Sequence, residues 1–377
     1  MKGTNFTTFQ PAGLATGIGS LPFTDAQPAL VLIGDHLPKI PHWPQLPQRG
    51  SGEHFVHQFL QPLIDHGLLR VDEGRRFFDA DKHTLPERLT AFYESCLEAE
   101  SGDALHIGHF MPPGDSAAGL YAFLEHLTAG TFPPTDYVKG QIVGPLTVGL
   151  TVNDHQGRPA YYHDELRDVL VRTLAVAAHG QASALQQSGK QAIIFVDDPA
   201  ISAWGSRLHL ALDRDAIRKD LDAIFSAIRS AGAISGLHAC QAIDWSIALS
   251  TSVQILSVDA YRYGGSLKPH VKALRGFMEA GGVIAWGIVP TLDDPFSVTV
   301  EALFKRLNEL WRQLFDEEPQ REILVRQSLI TPACGLGLLS RSRAERIYRL
   351  TDRLSQRIRE AADAPFRTVD VLAEECG

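Results

Sequence analysis

The stretch from Ala192 to Cys240 decides the fold. It opens with AIIFVDDPA (Ala192–Ala200), continues through DRDAIRKDLDAIFSAIRSAG (Asp213–Gly232) and returns in AISGLHAC (Ala233–Cys240). Its outer pieces are continuous apolar runs with no polar alternation, as expected of strands buried on both faces. Between them Ile217, Leu221, Ile224, Phe225 and Ile228 fall at helical spacing, with Asp213 placed to cap the start and Gly232 the stop. The same alternation extends outward in both directions. Strands are expected at 13–18, 68–71, 138–143, 192–196, 233–238, 253–258, 283–286 and 326–330. Helices are expected near 84–99, 163–187, 213–231, 267–280, 298–315 and 341–361. About eight apolar strands, most of them followed by an amphipathic helix, favour an α/β fold of the (β/α)8 TIM barrel type over a doubly wound open sheet. One domain is expected over residues 1–377, with an N-terminal loop and helix elaboration at 34–66 and a C-terminal tail at 363–377.

Composition narrows the function. Of the 377 residues 44% are hydrophobic and 21% charged, an ordinary globular balance. Thirty-five Lys and Arg against 44 Asp and Glu leave a net charge of −9, which argues against nucleic-acid or anionic-membrane partners. No run is long and apolar enough to span a bilayer, and the opening MKGTNFTTFQPAG lacks the apolar core of a signal peptide. Four cysteines in a chain this long suit the reducing cytoplasm, where each is a packing group, a reactive thiol or a metal ligand. Cys96 falls inside a helical pattern and Cys376 is penultimate, so both are expected to be inert. The histidine clusters His36/His42 and His54/His57 have no ligand-spaced partners and are expected on loop and helix surfaces.

In a barrel the catalytic side chains sit where the strands end. Gly19 and Ser20 follow the first expected strand, Asp197 and Asp198 the fourth, His238 and Cys240 the fifth, Asp259 the sixth and Cys334 the eighth. A His and a Cys two residues apart on a strand end project to one side. With Cys334 and a carboxylate they offer a tetrahedral N/S/O set of the kind zinc accepts at about 2.0–2.3 Å. Spacing alone leaves the plainer alternative open, in which each Cys packs as a small hydrophobe and Asp259 caps a helix.

The ordered motifs IGSLP (Ile18–Pro22), VGPLT (Val143–Thr147), VDDPA (Val196–Ala200), HAC (His238–Cys240), LSVDAY (Leu256–Tyr261) and TPACGLG (Thr331–Gly337) resemble the C-terminal catalytic barrel of cobalamin-independent methionine synthase. That family lies in a superfamily with uroporphyrinogen decarboxylase and the methylcobamide:thiol methyltransferases. The resemblance runs from about Thr16 to Gly337. It implies a zinc-dependent methyltransferase whose acceptor is a small thiol, homocysteine, and whose zinc ligands are His238, Cys240, Asp259 and Cys334. Asp259 stands where the family has Glu, one methylene longer. Gly19, Ser20 and the neighbouring amides would receive the substrate carboxylate and Asp197 its ammonium. A second acid of the family matches either Glu53 or Glu73.

The resemblance also bears on the donor. The family carries a His after the seventh strand that protonates the departing folate nitrogen, and GIVPTLDDP (Gly287–Pro295) has Leu292 there. A folate anion needs a general acid to leave, and an exposed Asp293 or Asp294 is a poor one at neutral pH. The chain also starts its first strand near residue 13, where full-length members carry a second barrel that helps hold folate. A methylcorrinoid donor, free or on a corrinoid protein, is therefore expected. The rival readings are a metal-free decarboxylase of the uroporphyrinogen type and a non-catalytic zinc- or thiol-binding barrel. The first would leave the His-Cys-Cys set unexplained and lacks arginines in its first twenty residues.

Overall fold

The computed structural model describes residues 9–79, 83–315 and 318–363; the opening residues, Cys376 and nearly all of the expected C-terminal tail lie outside them. Ten strands are described. They are β1 (Leu14–Ala15), β2 (Leu69–Asp72), β3 (Arg75–Phe78), β4 (Tyr137–Val143), β5 (Asn153–Asp154), β6 (Gln191–Asp197), β7 (Ile234–Ala239), β8 (Ile255–Val258), β9 (Val283–Val289) and β10 (Ser328–Pro332). Seven form one parallel sheet in the order β1-β10-β9-β8-β7-β6-β4.

The sheet curls around an inner cluster of Ile193, Phe195, Ile234, Ile255, Val283, Ala285 and Leu329, closed below by Phe9 and Ile40. Helices cover the outer face. The helix expected after Asp213 spans Arg214–Ser230, with the Asp213 carboxylate accepting from Ala216 N and all five expected apolar residues buried. The Val300–Leu314 helix likewise buries Leu303, Leu307, Leu310, Trp311 and Leu314.

Among the described strands the large sheet has seven members, and the second strand of the expected barrel is not one of them. Residues 68–71 do form a strand, β2, but it pairs antiparallel with β3, and β3 runs parallel to β5 in a separate three-stranded sheet. Only Leu69 of β2 is buried, so the strand has no apolar face to offer a barrel interior. Between the two edges of the large sheet lies PHWPQ, Pro41–Gln45, within the expected elaboration. It makes single parallel bridges, His42 to Lys139 of β4 and Gln45 to Ser20 beyond β1. Pro41 and Pro44 have no N–H to donate, which limits the backbone ladder.

Each bridge is carried by two backbone bonds, Lys139 N to Pro41 O and Trp43 N to Lys139 O on one edge, and Gln45 N to Gly19 O and Leu21 N to Gln45 O on the other; side chains add to them. His42 reaches the Trp43 carbonyl at 2.8 Å and the Tyr348 hydroxyl at 2.6 Å. Trp43 Nε1 donates to Gln181 Oε1, Gln141 Nε2 to the Trp43 carbonyl and Gln45 Nε2 to Gln58 Oε1. His42 is therefore fully buried, where surface placement was expected. His54 and His57 lie nearer the surface, ring to ring at 4.8 Å, with Arg76 beside His57.

Candidate metal centre

Side-chain alternation sets the site. Ile193 and Phe195 line the inner cluster, so Asp197 faces inward at the end of β6; Ile234 does the same for His238 on β7, and Ile255 for Ser257 on β8. Asp197 and His238 are paired neighbours in the β6–β7 register, as His238 and Ser257 are across β7–β8.

Cys334 must come from farther round, because β8 and β9 lie between its strand and β7. Two local features bring it in. The β9–β10 register slips between Thr331 and Pro332, an irregularity that re-aims the chain at a strand end. Opposite stands Gly287, where a Cβ would meet Ala333 Cα at 2.9 Å and Val258 O at 2.6 Å. The absence of a side chain there lets the backbone before Cys334 close over the mouth.

The result is a group of three. Ligand atoms of His238, Cys240 and Cys334 all lie within 4.8 Å of one another. His238 Nδ1 is bonded to Ser257 Oγ at 2.9 Å, while its Nε2 is buried with no hydrogen-bond partner. A buried ring gathered with two sulfurs fits a metal ligand, and a bond at one nitrogen is the usual device that fixes such a ring's tautomer. The two thiols interact. A hydrogen bond from Cys334 lowers the Cys240 pKa, and the same bond, with burial, raises that of Cys334.

Asp259 does not join the group. It caps the short helix Ala260–Tyr263, accepting from Arg262 N at 2.9 Å, and burial raises its pKa. Asp197 is closer to an open binding role. Its Oδ1 is buried without a partner, and burial pulls its pKa up against the opposing charges of His238 and Lys139. Its neighbour Asp198 is structural, its carboxylate accepting from Leu146 N, Thr147 N and the Thr147 hydroxyl.

The turn after β1 lies against the loop that carries Cys334. Leu336 N donates to Ser20 O and Gly337 N to Ser20 Oγ. Gly19, at φ +156°, has Gln141 packed so closely that a Cβ would fall 2.7 Å from its Cδ. Glu53 is buried and committed to Leu46 N, Ala118 N and Arg49, whereas Glu73 stands exposed at the tip of the β2–β3 hairpin with φ +45°. Leu292 is 70% exposed; Asp293 pairs with Arg262 and Asp294 with Arg343.

Three residues at the centre were not singled out from the sequence: Ser257, Lys139 and Gln141. The signal for Lys139 was present, as a lone cation inside the otherwise uncharged strand YVKGQIV.

No family model matches the chain, and no curated protein does. Among solved structures it is similar to a B12-independent methionine synthase from Shewanella sp. W3-18-1 in complex with selenomethionine. The identity is 16%, over 63% of this chain and 67% of that one, with a TM-score of 0.44. It is also similar to the GH113 β-mannanase AaManA from Alicyclobacillus acidocaldarius in complex with ManMIm, at 12% identity over 66% and 78% of the two chains and a TM-score of 0.33. Likeness at these scores says nothing of chemistry. No helix among the described residues is long and apolar enough to cross a membrane.

Proposed function

We propose that this chain is a zinc-dependent methyltransferase that methylates a small thiol, homocysteine, to give methionine, from a methylcorrinoid donor. The observation that carries the reading is the buried Nε2 of His238 gathered with the sulfurs of Cys240 and Cys334. The motif resemblance from IGSLP to TPACGLG supplies the reaction, on a (β/α)8 barrel plan in which residues 41–45 take the place of a strand.

His238, Cys240 and Cys334 would hold the ion, with Asp259 as the ligand that stays aside or yields when substrate arrives. Zinc so held supplies positive charge that lets a thiol, ordinarily of pKa about 8.5, act as thiolate near neutral pH. The remaining tasks belong to the chain. The unpartnered oxygen of Asp197 accepts from the substrate ammonium, and the amides of the Gly19–Ser20 turn face its carboxylate. Fixing both ends of the amino acid aligns its sulfur for in-line attack, which is catalysis by positioning. A methylcorrinoid would supply the methyl group to that sulfur and would keep the electron pair of the bond it gives up. No proton is needed, which agrees with Leu292 standing where a general acid would be required for folate.

Metal analysis tests the site. Wild-type protein is expected to carry zinc near one per chain, and Cys240→Ser and Cys334→Ser to lose most of it while remaining folded. Equal zinc in all three overturns the reading. The donor is tested by methionine formation from homocysteine. Efficient turnover with methyltetrahydrofolate and none with methylcobalamin would overturn that part alone.

A further inference from the structure

Lys139 is wholly buried on the inner face of β4. Among the described residues no carboxylate is in ion-pair contact with it. Its Nζ donates to the Ile18 carbonyl at 2.6 Å and to Gln141 Oε1 at 3.2 Å, and stands 4.5 Å from the Phe195 ring centroid. Taking an ammonium out of water is costly, and a hydrophobic residue of the same length would fill the space more cheaply. The bond to Ile18 therefore calls for a reason.

Ile18 opens the turn that continues through Gly19 and Ser20. Gln141, the other partner of Lys139, packs directly under Gly19 and ties itself to the Trp43 carbonyl at 3.1 Å. Lys139 and Gln141 thus form a polar bed beneath the turn. Burial pulls the Lys139 pKa down to about 7, against the charge of Asp197, the inward-facing acid of β6 with an unpartnered oxygen. One buried cation touches the turn on one side and bears on the acid on the other.

We propose that Lys139 is a positioning residue that shapes the Ile18–Ser20 turn for an amino-acid head group, and so makes the site select an amino-acid thiol over a simple one. This rests on the thiol-methyltransferase reading above. Lys139 touches neither substrate nor metal; it acts through the Ile18 carbonyl and through Gln141.

The test is Lys139→Met, which keeps length and removes the donors. Expected are unchanged zinc, a KM for homocysteine raised about tenfold, as for one lost hydrogen bond, and a kcat within about twofold. The KM for 2-mercaptoethanol, which has no head group, should not move. Hydrogen exchange of the amides at residues 19–21 should quicken while that of β7 stays as it was. A KM that rises equally for both thiols, or an unmoved turn, overturns the inference and leaves the zinc site standing. Wild-type protein that carries no zinc and binds no homocysteine overturns the functional reading and this assignment together. Should Lys139→Met fail to fold, Gln141→Met removes the second half of the bed and must show the same split between thiols, or the proposal falls.

Discussion

The two walls of the curled sheet are built differently. From β6 through β10 the backbone carries the structure, strand to strand in parallel ladders with one slip beside Thr331. On the other side, at residues 41–45, a single bridge to each edge, of two backbone bonds apiece, replaces a ladder, and side chains reinforce it, with His42, Trp43, Gln141 and Gln181 bonded in a connected set and Gln45 bonded to Gln58. A wall held by backbone leaves the side chains at its ends free for chemistry, and the metal-competent group sits there. In the other wall the side chains of His42, Trp43 and Gln45 are already committed to bonds of their own.

That contrast can be broken most directly at Trp43, which is fully buried and donates to Gln181. Trp43→Ala should cost about 3–5 kcal/mol of folding stability, read by urea unfolding. Cys240→Ala on the other wall should cost under about 1 kcal/mol in metal-free protein. Comparable losses at the two positions would erase the distinction.

Ser257→Ala sharpens it from the opposite side. The hydroxyl holds His238 Nδ1 and lies within a fully buried strand. Its loss should weaken zinc binding by roughly 10–100-fold in a chelator competition while leaving the melting curve nearly in place. Unchanged zinc affinity would mean that the ring needs no outer support.

The smallest expected effect is one of pH. Burial first, then the Lys139 charge, hold the His42 pKa down from 6.5 to about 3, against the pull of the Trp43 carbonyl. The unfolded chain takes up that proton near 6.5, whereas the folded chain resists until about 3. The contribution to stability is therefore complete above about 6.5 and lost progressively as pH falls toward 3, by at most about 1.4 kcal/mol per pH unit. His42→Gln should be weaker at neutral pH yet show a flatter acid limb. An identical slope in both proteins would place the acid sensitivity elsewhere.

How far the sequence could be read follows the same division. The β6–helix–β7 unit was legible because apolar runs and helical spacing are local signals, and Asp213 caps where its position implied. The placing of His238 and Cys240 together at the end of β7 was legible because alternation is local too. Residues 41–45 were not, because two prolines erase the strand pattern and their partners, Gln181 and Tyr348, lie far along the chain. The same is true of Gly287 and the register slip beside Thr331, whose effect on Cys334 exists only once β8, β9 and β10 are assembled. Residues 68–71 misled for the opposite reason, since a short apolar run gives its conformation but not its partner.

The ligand geometry has a consequence for how the chain comes apart. His238 and Cys240 end β7, and Cys334 follows β10, so an ion held by all three would staple the ends of a long loop that contains β8, β9 and their helices. Such a clasp removes freedom from the unfolded chain much as a crosslink does, and it favours only the folded form because the site does not exist without it. Metal-loaded protein should then resist proteolysis chiefly between Cys240 and Cys334, whereas the proline-bearing wall opposite would gain little, giving one molecule two thresholds of unravelling.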